Sequence, residues 1–166
     1  QRQMCIRDSY KAVAQAYDSI AAAARGGERH PLVLTEQLTD GYWFVPGGES
    51  YMARMIEDAG GRYPWGKDGN RGSLQLDFSS VYAKAGDADV WLIKSFGHDT
   101  SLDDLRGAYQ LNSQFKAFKR GNVWVANTAE VPLFDEFPFH PELLLEDYAR
   151  IFRGERDGLR YYRPAK

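Results

Sequence analysis

The chain has 166 residues, 43% of them hydrophobic and 27% charged, with 21 Lys and Arg against 23 Asp and Glu. That length suits one domain with a proper core and leaves little room for a second, and no apolar run approaches the roughly 20 residues needed to cross a bilayer. A formal charge of −2 excludes a global basic field for nucleic acid, and the arginines at 150, 153, 156, 160 and 163 alternate with Glu142, Glu146, Asp147, Glu155 and Asp157 as on a solvated mixed face.

Residues 1–9, "QRQMCIRDS", show no helical or strand period and resemble adapter-derived read-through, so they are set apart from the fold as a non-native segment. They contain the single cysteine, Cys5, which excludes an internal disulfide framework and a Cys-based zinc cluster. From Tyr10 to Arg25 the chain is alanine-rich, with Val13, Ala16, Tyr17, Ile20 and Ala24 at helical spacing before Gly26 and Gly27 end it. "PLVLTEQL" and "YWFVP" follow as short β-type runs bounded by proline or a Thr-Asp-Gly turn. In "GGESYMARMIEDAGG" a glycine turn leads into a helix with Tyr51, Met52, Met55, Ile56 and Ala59 on one face.

The stretch "RYPWGKDGNRGSLQL" is too rich in Gly, Pro and Asn for regular structure and reads as a long loop leading to Asp77, the N-cap of "FSSVYAKAG". Val90, Trp91, Leu92 and Ile93 form the strongest strand, a run expected of a central parallel strand buried on both faces. Thr100 and Asp103 match a capping box, "SQFKAFKRG" predicts a short helix and "NVWVANT" the next strand. His140 and Pro141 open the last helix, whose buried stripe is Leu144, Leu145, Tyr148, Ile151 and Phe152. Alternating β and α units without hairpin signals predict a three-layer, Rossmann-like α/β lobe with a mostly parallel central sheet, preceded by a helix.

In open α/β sheets ligands gather beyond the carboxyl ends of the strands. Three loops there are rich in binding chemistry. The first offers Phe44, Ser50 and Tyr51, with Gly47 and Gly48 letting backbone N–H groups approach an anion; strand alternation assigns Trp43 and Val45 to the core. The second carries Trp65, Arg71 and Ser73, an aromatic face and a guanidinium for a carboxylate or phosphate. The third carries Phe134, Asp135, Glu136 and Phe137, while Phe139, beside His140, fits a hydrophobic staple to the last helix. No catalytic set is assembled. Gly48-Glu49-Ser50 is the start of a nucleophile elbow, but Met52 stands where a small glycine is needed, so an α/β hydrolase using Ser50 is the alternative reading. Neither a P-loop nor G-x-G-x-x-G is present, and His140 with Asp135 or Glu136 has no recognised metal-ligand spacing.

Taken in order, "WFVPGGESYMARMIEDAGGRYPW", "LDFSSVYAKAGDADVWLI", "FKAFKRGNVWVAN", "FHPELLLEDYARIF" and the final "LRYYRP" resemble the C-terminal lobe of helix-linked substrate-binding proteins. These serve ABC importers of iron chelates (siderophores), haem and cobalamin. The resemblance implies two α/β lobes joined by one long helix, with the ligand held between them. Residues 10–25 would be the linker helix and residues 26–166 the C-terminal substrate-binding lobe, the N-terminal lobe lying in sequence upstream. It implies a monomeric, non-enzymatic protein, periplasmic or otherwise extracytoplasmic, whose missing N-terminus is a place for a lipid anchor. Its partners would be a small-molecule metal chelate and a permease in the inner membrane, with no nucleic acid. No cofactor of its own is expected, iron or cobalt entering only inside the ligand. The family's C-lobe contacts fall on loops matching Phe44 to Tyr51, Arg71 to Ser73 and Phe134 to Phe137. Many members dock on the permease through a glutamate early in the helix after the "LD"-type cap; Ser79 stands near that place here, leaving Glu49 or Asp77 as substitutes.

Overall fold

The computed structural model describes residues 2–166. Helix α1 (Arg2–Arg25) starts eight residues before the predicted Tyr10, and Gln1 lies outside the described residues. Residues 2–9 contain neither Gly nor Pro, and adding a residue to an existing helix gains a hydrogen bond without a new nucleus, which explains the extension. Ala21 and Ala24 of α1 are buried, and the Tyr17 hydroxyl donates to Asp58 at 2.7 Å.

Strand β1 (Val33–Thr35) is buried throughout. Next come β2 (Leu38–Thr39) and β3 (Tyr42–Pro46), an antiparallel pair closed by Asp40 and Gly41 with φ of 51° and 84°. Two left-handed residues at an Asp-Gly turn match the twist of a hairpin, so the expectation of no hairpin is corrected here. Helix α2 (Tyr51–Asp58) is followed by β4 (Ser73–Leu76), which lies within the stretch read as loop. β4 has only partly buried leucines, and its order comes from pairing with β3, Trp43 opposite Leu76 and Pro46 opposite Ser73.

Helix α3 (Phe78–Ala85) is capped as predicted by Asp77, whose carboxylate accepts from the Ser80 N–H at 2.7 Å. Strand β5 (Val90–Ser95) leads to α4 (Leu102–Ala108), whose capping box is Ser101 with Asp104. The Thr100/Asp103 pair predicted for it is one residue out of phase; Thr100 is buried and Asp103 pairs with Arg106. A 3₁₀ turn (Gln110–Gln114) and α5 (Lys116–Lys119) precede β6 (Val123–Asn127). The chain closes with α6 (Leu133–Glu136), α7 (Pro141–Phe152) and β7 (Arg163–Pro164). Among the described residues no helix is long and apolar enough to cross a membrane.

The main sheet has the order β1-β5-β6-β7, parallel except for β7, with helices on both sides. The expected Val90–Ile93 run is its buried centre. A second, antiparallel sheet, β2-β3-β4, sits apart from it, so "YWFVP" is not a member of the parallel sheet. Trp43 joins the two sheets. Its ring stacks on Trp91 of β5 at 5.8 Å, meets Phe115 at 5.6 Å and donates through Nε1 to the Thr35 carbonyl at 2.8 Å. The predicted stripe of α7 is buried, and Asp147 beside it accepts from the backbone N–H groups of Arg160, Tyr161 and Tyr162, which fixes the approach to β7.

Candidate functional site

At the carboxyl ends of β1 and β5 the chain places a charge pair, Glu36 and Lys94, with Lys94 Nζ 2.7 Å from Glu36 Oε1. Glu36 has a φ of 63°, a left-handed conformation that is uncommon for a side-chain-bearing residue. Its N–H donates to the Leu92 carbonyl at 2.8 Å and its own carbonyl accepts from Trp91 Nε1 at 2.6 Å. Burial works against the Lys94 ammonium, but the neighbouring Glu36 carboxylate outweighs it and raises the lysine above its ordinary range. The pair lines an open groove of about 530 Å³ together with Phe44, Ser50, Tyr51, Met52, Arg71 and Ser73. The rings of Phe44 and Tyr51 are exposed, as strand alternation predicted for Phe44. Arg71 is exposed and lies 3.8 Å from Glu49.

The first two predicted loops therefore meet, and their glycines are what let them. A Cβ on Gly47 would lie 2.3 Å from the Asn70 carbonyl oxygen, and one on Gly48 would lie 2.4 Å from both the Trp65 and Asp68 oxygens. The Gly47 N–H donates to Gly72 O at 2.6 Å and the Glu49 N–H to Asn70 O at 2.9 Å. The anion cradle expected of Gly47 and Gly48 is thus replaced by a loop-to-loop seam, because Gly47 spends its N–H inside the protein. Gly48→Ala is expected to cost about 1–3 kcal/mol, since the obstructing atoms are all backbone and the loop must shift. Urea denaturation checks this, and an unchanged midpoint would mean that the seam is soft.

Ser50 is 9% exposed and caps α2, its Oγ accepting from the Ala53 N–H at 3.2 Å. Two histidines that could serve a serine as base are engaged elsewhere: His30 Nδ1 is 2.8 Å from the Gly60 carbonyl and His140 Nδ1 is 3.0 Å from Glu142. Trp65 is not brought to the groove. It is 6% exposed and packs edge-on against Tyr63 at 5.7 Å, because its loop folds back over the core.

The third loop meets the first where Phe137 packs edge-on to Tyr51 at 5.4 Å. Phe134 and Asp135 are exposed on α6, outside the lining of the Glu36–Lys94 groove. Glu136 is held by Arg160, Nη2 to Oε2 at 2.6 Å, and that hydrogen bond pulls its carboxyl below the ordinary range. Phe139 is 74% exposed while Leu144 is fully buried, so the staple expected of Phe139 is not made. Phe137 and Phe139 instead line a second groove of about 430 Å³ with Tyr10, Val13 and Tyr17 of α1. Asp77 is engaged as a helix cap, whereas Glu49 is half exposed.

Sequence reasoning missed Glu36, Lys94 and Met52 as lining residues. A signal for Lys94 was present: it is the first charged residue after an unbroken apolar run, where a strand leaves the core.

No protein-family model and no curated protein matches this sequence. Solved structures do match in fold. The TroA-like periplasmic binding protein FepB from Veillonella parvula superposes with a TM-score of 0.67 at 14% identity, over 96% of this chain and 56% of that one. S. aureus IsdE complexed with heme gives 0.62 at 16% identity, over 88% of this chain and 56% of that one. An ABC-type Fe3+-hydroxamate transport system protein from Saccharomonospora viridis gives 0.60 at 16% identity, over 89% and 48%. At such identities it is the fold that is shared. The chain has the architecture of part of a TroA-like periplasmic binding protein and spans about half the length of these structures.

Proposed function

We propose that the chain is the C-terminal lobe of an extracytoplasmic substrate-binding protein that delivers an iron chelate, haem or cobalamin to an ABC permease, and that it catalyses no reaction. The observation that carries this reading is the open groove at the carboxyl ends of β1 and β5, which pairs exposed Phe44 and Tyr51 with Lys94 and Arg71. The match to about half of each periplasmic binding protein supports it, since a second lobe is what would close over such a groove. On this reading α1 contains the linker helix, the protein is a monomer, and the half-exposed Glu49 is a better permease contact than Asp77.

Trp91, hydrogen-bonded to Glu36, is a built-in reporter of the groove. Titration of the full-length protein with ferric siderophores, haem and cobalamin is expected to change tryptophan fluorescence saturably for one ligand class. The isolated lobe is expected to bind weakly, because enclosing about 70–90% of a ligand takes walls on both sides. A full-length protein whose fluorescence responds to none of the three would sink the reading.

A further inference from the structure

Glu36 holds a conformation that glycine adopts freely and other residues resist. Both of its main-chain hydrogen bonds, to Leu92 and from Trp91, would be available to a glycine. What the glutamate adds is a carboxylate 2.7 Å from Lys94, so the strained turn serves to place and charge that ammonium. Lys94 has three N–H donors, of which one is spent on Glu36, and its side chain, 20% exposed, lines the groove. Arg71 lines the same groove, 86% exposed and only 3.8 Å from a carboxylate that does not itself line it. The lining thus carries two cations and one anion, a net positive wall on a chain of net charge −2. Apolar faces stand beside these charges in Phe44, Tyr51 and Met52.

We propose that Lys94, positioned by Glu36, and Arg71 bind an anionic group at the edge of the ligand, so that the substrate is a chelate bearing carboxylate or phenolate oxygens, its apolar faces lying on Phe44 and Tyr51. This rests on the reading of the protein as a chelate-binding lobe and adds the charge class of the chelate. Neutral ligands would leave the ammonium's free donors without a charged acceptor, and hydrogen bonds with one ionised partner are roughly twice as strong as neutral ones.

The test uses the full-length protein with two iron(III) probes, an anionic tris-catecholate and a neutral tris-hydroxamate. Wild type is expected to bind the anionic probe about tenfold tighter or more, Lys94→Met to lose about tenfold on that probe and less than about twofold on the neutral one, and Lys94→Arg to keep the preference. A measurement without any variant runs beside these. Raising salt from about 0.05 to about 0.5 M should weaken the anionic probe and leave the neutral one unchanged, since the exposed Arg71 and the open mouth of the groove let salt screen the site. Equal or tighter binding of the neutral probe, or equal losses on both in Lys94→Met, overturns the charge assignment while leaving chelate binding intact. Binding of neither probe, nor of haem or cobalamin, by wild type would overturn the function proposed above and this inference with it.

Discussion

Asp147→Ala is expected to destabilise the protein by about 3–5 kcal/mol, seen as a lower urea midpoint. Asp147 is buried on α7 and takes backbone N–H donors from Arg160 at 2.8 Å, Tyr161 at 2.7 Å and Tyr162 at 3.3 Å. Tyr161 and Tyr162 are themselves buried, so truncation leaves donors without acceptors, each costing about 1–3 kcal/mol. The segment they belong to runs straight into β7, which covers the edge of β6 opposite Trp124 and Val125. Asp147→Asn keeps one acceptor oxygen and should lose roughly half as much. Amide exchange at Tyr161 separates the two explanations. If it stays slow in the alanine variant, the β7 segment is anchored by packing and the clamp is not what holds it.

Trp43→Ala is expected to cost about 3–5 kcal/mol as well, a large share of the roughly 5–15 kcal/mol that holds a domain together. The ring is fully buried, touches Trp91, Phe78 and Phe115, and ties the antiparallel sheet to the carboxyl end of β1 through Thr35. Its neighbour Phe44 faces the groove, so on the proposed function the same change should also weaken ligand capture by the full-length protein. A cost near 1 kcal/mol with capture unchanged would show that the second sheet is held by contacts elsewhere.

The parts of the fold legible in the sequence were those whose signal is local. Val90 to Ile93 announced a central strand because four consecutive apolar residues can be buried only between two faces, and Asp77 announced a helix because its carboxylate serves the N–H three residues on. Asp40-Gly41 was equally local but was read only as a turn bounding two runs and not as a hairpin, which moved β3 into the wrong sheet. Strand β4 had no such signal. Ser73 to Leu76 becomes a strand because Trp43 to Pro46 is already extended alongside it, a partner about 30 residues away.

The site divides in the same way. Phe44, Tyr51, Arg71 and Ser73, named from the sequence on two separate loops, line one groove, because β3 pairs with β4 and brings those loops together. Glu36 and Lys94 are 58 residues apart, and only parallel pairing of β1 with β5 brings them together. Trp65 misled because a tryptophan in a glycine-rich stretch looks available until that stretch turns back on Tyr63.

The seam between Gly47 to Glu49 and Asn70 to Gly72 has a consequence for how a ligand would arrive. These loops lose their freedom when the chain folds, since their main-chain bonds run from one loop to the other. On the proposed reading, the wall they form would meet a ligand in a finished shape, so the rate of capture at this surface would be set by encounter and orientation, with no wait for a loop to rearrange. Its calorimetric signature is then a negative heat-capacity change tracking the apolar area of Phe44 and Tyr51 that is covered, without the larger entropy loss of coupled ordering.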